Sequence, residues 1–167
     1  MTQILKSTRF VLEPLTIAHA DEMVTALAST ELYTLTGGGP PTLDALRARY
    51  ARQATGHSPV GDEGWLNWVI RSKASGSAIG YVQATLTRDV DVLTADLAWL
   101  VAPRAQGQGA ATEASLAALT WLTTQRVQRV RAFIHPSHQA SARVAELLGL
   151  HATPEMVDGE RVWQAVP

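Results

Sequence analysis

The chain has 167 residues, enough for one domain with its own hydrophobic core, and its 46% apolar content excludes a disordered chain. Its formal net charge of −1 offers no overall field that would attract nucleic acid or a membrane surface, and no segment has the apolar length of a signal peptide or a transmembrane helix. The absence of cysteine excludes disulfides and thiolate nucleophiles, so we expect a cytoplasmic enzyme or binding module.

The first part of the chain predicts one strand followed by two helices. Residues 9–15 alternate loosely between apolar and polar side chains and predict a first strand. Thr16 precedes a helical apolar pattern over residues 17–28, and Thr42 precedes another over residues 43–53. Because Thr is a favoured residue before the first helical turn, each is predicted to cap its helix.

The rest of the chain predicts a sheet. Trp65–Ile70, Ala78–Leu86 and Thr94–Val101 are three successive strands with short polar connections, which favours an antiparallel meander. Arg129–Ile134 follows a helix and is therefore predicted to lie parallel to the strand before it.

A helix closed by Gly149 and a hairpin around Asp158-Gly159 complete the chain. The predicted order is β-α-α-β-β-β-α-β-α-β-β, an α+β domain over residues 1–167 with a mixed, mostly antiparallel sheet of about seven strands and four flanking helices.

A turn with two glycines joins the strand that ends at Val101 to a helix over residues 110–126. The turn is Gln106-Gly-Gln-Gly109, and glycine allows the backbone to turn sharply without side chains that would repel a ligand. The first N–H groups of the helix have no intrahelical acceptor, and the helix dipole adds positive charge there. The sequence therefore predicts a phosphate or diphosphate site at this turn.

The same turn resembles the signature of the GNAT superfamily of acyl-CoA-dependent N-acyltransferases, Gln/Arg-x-x-Gly-x-Gly/Ala. Gln106, Gly109 and Ala111 occupy its three defined positions. The predicted order of elements is also the GNAT order, so the resemblance covers nearly the whole chain.

A second stretch, residues 138–150, is similar to the family pattern Asn-x-x-Ser-x-x-Val-x-Glu-x-x-Gly-Phe. This pattern is typical of the branch that resembles ribosomal-protein N-terminal acetyltransferases. Ser141 and Gly149 match it, whereas His138 stands in place of Asn and Leu150 in place of Phe.

The resemblance implies where acetyl-CoA binds as co-substrate. In the family, the pantetheine arm enters between two parallel strands that splay apart, and the diphosphate lies on the helix N-terminus that follows. His138 would replace the Asn that bonds the pantetheine arm, or it only caps its helix. The implied acetyl-CoA-binding residues are Trp99, Leu100, Val101, Gln106, Gly107, Gln108, Gly109, Ala110, Ala111, Thr112 and His138.

The resemblance also implies direct transfer of the acetyl group to an amine. A backbone N–H near Leu100 would stabilise the oxyanion. Ala145 stands where many relatives place a Tyr that assists the leaving thiolate, so Ser141 is the candidate for that role, or else a small residue that allows close packing. Asp96 is a candidate general base or a salt-bridged strand residue, and Glu160 is a second candidate base or a surface turn residue.

The expected function is therefore transfer of an acetyl group from acetyl-CoA to a primary amine, on a protein N-terminus or a small molecule. One alternative is a non-catalytic acyl-CoA-binding module of the same fold. Another is a Rossmann-type nucleotide binder, which the position of the turn late in the chain disfavours. Trp65 and Trp68 either line the acceptor site or belong to the core.

We expect no metal, because the histidines show no metal-ligand spacing, and no nucleic-acid or membrane partner. A homodimer is an assembly that the family resemblance allows.

Overall fold

Eight strands form one sheet in the computed structural model, which describes residues 2–165. Their order is β1-β2-β3-β4-β5-β6-β8-β7, and four α-helices cover the two faces. The strands are β1 Leu5–Lys6, β2 Phe10–Pro14, β3 Glu63–Ser72, β4 Ala78–Asp89, β5 Val92–Val101, β6 Arg129–Ile134, β7 His151–Val157 and β8 Glu160–Ala165. The helices are α1 Ala20–Ala26, α2 Leu43–Gln53, α3 Ala110–Thr124 and α4 Gln139–Leu147.

The pairing of the strands confirms the predicted topology. Strands β3, β4 and β5 form the antiparallel meander, and β6 returns through α3 to lie parallel to β5. The other described pairs are antiparallel, and the α+β class is confirmed. A Rossmann-type fold is excluded, because it needs a mostly parallel sheet from the first strand onward.

The sheet has one strand more than the seven in the predicted order of elements. The additional strand, β1, has two residues and pairs with β2, so it is too short to show an alternating pattern. The first helix is also shorter than predicted, because Ile17–His19 form a 3₁₀ turn before α1. The capping of α2 by Thr42 is confirmed, since its hydroxyl accepts a hydrogen bond from the N–H of Ala45.

Both predicted turns near the end of the chain are confirmed. Gly149 has a φ of +82° directly after α4, and the N–H of Leu150 donates to the carbonyl of Ala145, so the helix ends in a left-handed cap. Asp158 and Gly159, with φ of +49° and +82°, connect β7 to β8. These φ values suit the tight hairpin turn that the dipeptide predicts.

The sheet buries a different core on each face. On one face, α3 and α4 pack on the larger core, where Trp68 meets Trp121 edge-to-face at 5.6 Å between ring centroids. On the other face, α1 and α2 pack on a smaller core with Val69 of β3. Arg71 ties α1 to the sheet, because it pairs with Glu13 of β2 and Glu22 of α1. Among residues 2–165, no helix is both long enough and apolar enough to span a membrane.

Candidate active site

The parallel pair β5–β6 separates partway along its length. Pairing runs from Thr94 opposite Arg129 to Asp96 opposite Arg131, and the described register goes no further, although β5 continues to Val101. At this last pair, Arg131 donates to both carboxylate oxygens of Asp96 at 2.7 and 2.8 Å. The two strands are therefore held together at one end and open into a gap at the other.

The backbone of β5 presents alternate residues to this gap. The N–H of Ala102 donates to the carbonyl of Ile79 in β4 at 2.7 Å. Because neighbouring residues of a strand direct their N–H and C=O groups to opposite sides, those of Val101 point away from β4. By alternation, the N–H and C=O of Trp99 also face the gap, whereas those of Leu100 face β4. The N–H groups near Leu100 that face the gap are therefore those of Trp99 and Val101, whereas the carbonyl of Val101 accepts a hydrogen bond from Gln106.

The glycine turn carries a row of free N–H groups at the same end of the sheet. Gly107 and Gly109 have φ of +72° and +75°, a conformation that side chains disfavour, and Gly109 is the residue before the first turn of α3. None of the N–H groups of residues 107–112 donates a hydrogen bond to another described residue. The turn thus has the free donors and helix N-terminus that an anionic group needs.

Arg9 contacts this turn and pairs with Glu113 beside it, which the sequence pattern did not reveal. Its Nη1 donates to the carbonyl of Gln108 at 2.9 Å, and its Nε donates to Glu113 at 2.7 Å. Burial raises the pKa of the Glu113 carboxyl, but the two hydrogen bonds from Arg9 outweigh it and leave that pKa lowered. Because Arg9 and Glu113 are 104 positions apart, no local motif could have joined them.

His138 and Ser141 interact with each other at the start of α4. The N–H of Ser141 donates to Nδ1 of His138 at 3.3 Å, and Nε2 of His138 lies 3.2 Å from the Ser141 hydroxyl. Burial lowers the pKa of His138, and the nearby His135 lowers it further, so the ring is neutral at pH 7. A neutral ring that accepts at Nδ1 carries its proton on Nε2 and donates it to Ser141. The Ser141 hydroxyl therefore keeps its own hydrogen for another acceptor.

The two candidate bases differ in whether other side chains bond their carboxylates. Both oxygens of Asp96 are bonded by Arg131, which favours the salt-bridged alternative. Glu160 makes no hydrogen bond or ion pair with a described residue, and burial raises the pKa of its carboxyl. By strand alternation, Glu160 projects on the same face as Asp96 and lies at the open end of β6.

The face that carries α1 and α2 leads into a recess beside the gap. Trp65 lines this recess together with Asn67 and Gln83. Trp68 is fully buried in the larger core, and its indole N–H donates to the carbonyl of Gln3. Of the two tryptophans, only Trp65 therefore contributes its side chain to this face.

Comparison with known families decides the assignment. The family model described as the acetyltransferase (GNAT) domain matches residues 9–151, which is most of the chain. The chain belongs to the GNAT acetyltransferases. The match extends from the residue that holds the glycine turn, Arg9, through the whole of α4. A search of curated proteins finds no significant match to the sequence.

Solved GNAT structures share the fold over the full length of the chain. A protein from Bordetella pertussis assigned to the GNAT acetyltransferases is 28% identical, with a TM-score of 0.74 over 98% of this chain and 99% of that one. RimL, a ribosomal L7/L12 alpha-N-protein acetyltransferase in complex with coenzyme A, is 14% identical, with a TM-score of 0.77 over 98% of each chain.

The microcin C7 self-immunity acetyltransferase MccE, in complex with acetyl-CoA and AMP, has a TM-score of 0.73 at 12% identity, over 96% of this chain and 93% of that one. At such identities, RimL and MccE show a common fold. The predicted GNAT fold is confirmed by these three solved structures.

Proposed function

We propose that residues 1–167 form one cytoplasmic N-acetyltransferase domain that moves an acetyl group from acetyl-CoA to a primary amine by direct transfer. The observation that carries the proposal is the open edge of β5, which is followed, after a 3₁₀ turn over Pro103–Ala105, by the free N–H groups of residues 107–112. One continuous backbone segment thus offers both an edge for an extended amide-bearing arm and a cradle for a diphosphate. RimL and MccE, which share this fold, are known in complex with coenzyme A or acetyl-CoA.

The donor half of the site would bind through backbone groups and one side chain. The N–H groups from Gly107 to Thr112 would hold the diphosphate, with the Thr112 hydroxyl and the Arg9 guanidinium beside them. The amides of Trp99 and Val101 would pair with the pantetheine arm in the gap. Gln106 donates to the carbonyl of Val101 at 2.8 Å and so supports the strand from which the turn departs.

The transfer step needs a neutral amine, a stabilised oxyanion and a leaving thiolate. The amine nitrogen attacks the thioester carbonyl, the C–N bond forms and the C–S bond breaks. We assign acceptance of the amine proton to Glu160, directly or through a water molecule, because its carboxylate is not engaged and its raised pKa makes it a stronger base than an ordinary Glu. The Trp99 or Val101 N–H would bond the carbonyl oxygen as it gains charge.

Ser141 would assist the departing sulfur. Since His138 donates to the Ser141 oxygen, the serine hydrogen is directed elsewhere and can be donated to the thiolate. A thiolate with an ordinary pKa of about 8.5 needs only a hydrogen bond or a modest share of a proton. The role of His138 is then to cap α4 and orient Ser141, which follows the capping alternative rather than a bond to the pantetheine arm.

The test is acetyl-CoA turnover with a panel of primary amines, measured by release of free thiol and by mass spectrometry of the acetylated product. We expect saturable turnover with at least one amine and binding of CoA in calorimetry. Tight CoA binding without product from any amine would favour the alternative, a non-catalytic acyl-CoA-binding module. Size-exclusion chromatography with light scattering would test for the homodimer.

A further inference from the structure

A polar recess between α2 and the strands β3 and β4 is not used by the donor half of the site. It consists of two adjoining cavities of about 210 and 230 Å³ that share four lining residues. The shared residues are Arg49, Gln53, Asn67 and Gln83. We call these two cavities together the α2 recess.

Two arginines of the α2 recess have no acidic partner. Within residues 2–165, neither Arg49 nor Arg52 forms an ion pair. No Asp or Glu is among the residues that line the recess. The nearest acidic side chain along β3, Glu63, accepts a hydrogen bond from the indole N–H of Trp65 at 2.8 Å. The recess is therefore a place of uncompensated positive charge in a chain whose net charge is −1.

The neutral polar groups of the recess are also unused. The hydroxyl of Tyr50 is buried, with the residue only 3% exposed, and has no hydrogen-bond partner among the described residues. Its burial raises the pKa of the phenol to about 12, so the hydroxyl stays protonated and able to donate. The Arg49 guanidinium lies 5.9 Å from the centre of the Tyr50 ring. Buried polar groups without partners are rare, and this hydroxyl lies beside a guanidinium without an ion pair, so one anionic ligand could bond both.

The recess connects to the place where the thioester would lie. Gln83 lies opposite Ala98, and Tyr81 lies opposite Leu100, so their side chains share one face of the sheet. Ala98 is exposed on this face, and no side chain larger than its methyl group stands there between Gln83 and the gap. With strands about 4.8 Å apart, the centre of the recess is roughly 10 Å from the β5–β6 gap.

We propose that the α2 recess binds a carboxylate of the acceptor, so that the amine substrate carries an acidic group within roughly 10 Å of the nitrogen that is acetylated. The inference rests on the proposed function, because it takes the gap as the place of the thioester. Arg49 and Arg52 provide the charge, the Tyr50 hydroxyl donates a hydrogen bond, and the amides of Asn67 and Gln83 orient the ligand. An amino acid with its amine at the far end and a peptide N-terminus with an early acidic residue share this chemistry.

The experiment uses acceptors that differ only in the acidic group. The first pair is 6-aminohexanoate and 6-aminohexanamide, and the second is a seryl-aspartyl tripeptide amide and its seryl-asparaginyl counterpart. Binding to the protein saturated with CoA is measured by calorimetry, and acetylation is measured by thiol release. We expect the acid of at least one pair to exceed its neutral counterpart by about tenfold or more in affinity and in kcat/KM. The pair that shows the preference identifies the source of the carboxylate.

The matched variants are Arg49→Gln and Arg47→Gln on the same helix. Arg47 faces away from the recess and pairs with Asp21, so its loss controls for a general change in charge and helix stability. We expect Arg49→Gln to remove the preference for the acid through KM, while the affinity for CoA stays unchanged and Arg47→Gln leaves the preference intact. Should Arg49→Gln fail to fold, Arg52→Gln provides the same comparison.

Equal affinity of the acid and its neutral counterpart in both pairs, or an equal loss for both in Arg49→Gln, would overturn the proposal. If no amine is acetylated but the acid still binds with a preference that depends on Arg49, the recess assignment stands and acetyl transfer is what fails. Binding and turnover thus separate the two proposals.

Discussion

The two halves of the candidate site bind through different kinds of groups. The donor half is built mainly from the backbone of one continuous segment, from the open edge of β5 to the first turn of α3. The acceptor half is built from side chains that α2, β3 and β4 bring together. A site built from backbone groups tolerates most side-chain substitutions and loses binding when its backbone conformation changes. A site built from side chains can lose one group and keep its backbone conformation.

This difference predicts how each half responds to mutation. A substitution in the turn should weaken binding only if it alters φ or blocks the N–H groups. The two glycines with positive φ are the positions where a side chain would do so. In the recess, removal of one charged group changes which ligand binds without changing the backbone.

The largest effect is expected from Gly109→Val, which breaks the donor half. Valine strains a backbone at φ +75° by about 1–3 kcal/mol, and relief of that strain would turn the N–H groups away from the diphosphate. We expect the affinity for CoA, measured by calorimetry, to fall by more than about 100-fold. Gly76→Val is the control, since Gly76 has φ +71° in the β3–β4 connection, outside the turn. If both variants bind CoA as the wild type does, the diphosphate assignment is wrong.

The next largest effect is expected from Glu160→Gln, at the open end of β6. Because burial raises the pKa of Glu160, the wild-type kcat/KM should rise with pH as this carboxyl ionises, above its ordinary value of 4.5. The glutamine variant should lose that limb of the pH–rate profile and about 100-fold in kcat/KM at its plateau. A variant with the wild-type profile would remove Glu160 as the base.

Ser141→Ala should produce a smaller loss confined to the chemical step. One hydrogen bond to the leaving sulfur contributes about 1 kcal/mol, so we expect kcat to fall about fivefold with the affinity for CoA unchanged. The control is Ser137→Ala, an exposed serine in the connection that precedes α4. A loss of CoA affinity that equals the loss of rate would instead assign Ser141 to packing against the coenzyme.

The smallest effect on catalysis is expected from Asp96→Asn. This variant separates residues that take part in the transfer from residues that only stabilise the strands around the site. The ion pair with Arg131 is about a quarter exposed on each side, so its loss should cost roughly 1 kcal/mol and lower Tm by about 2–4 °C. The pH–rate profile should not move. A double-mutant cycle with Arg131→Gln should show that the two losses are not additive, and a displaced profile would restore Asp96 as a candidate base.

The sequence could predict the donor half because its signal is local. The glycine spacing, the apolar strand before it and the helix formers after it all lie within residues 97–124, and the topology around them follows from short connections. What the sequence could not predict depends on contacts between distant segments. Arg9 reaches the turn from the other end of the chain, and Arg49 meets Asn67 and Gln83 only after the sheet has formed.

Register decides two features of the site that the sequence leaves open. The orientation of the Leu100 amide depends on which residues of β4 lie opposite it, and a shift of one residue would reverse it. The engagement of Asp96 likewise depends on Arg131 lying directly opposite, on a strand that the chain reaches 35 positions later. Neither relation leaves a pattern within a single strand.

The position of the Asp96–Arg131 pair sets the depth of the cleft between β5 and β6. Five residues of β5 lie beyond it, which at about 3.3 Å per residue gives roughly 16 Å of unpaired edge. If the same two side chains stood two residues further along, at Ala98 and Phe133, the cleft would be shallower by about 7 Å. The length of strand edge available to a long, thin substrate thus depends on the position of the ion pair beyond which the two strands separate.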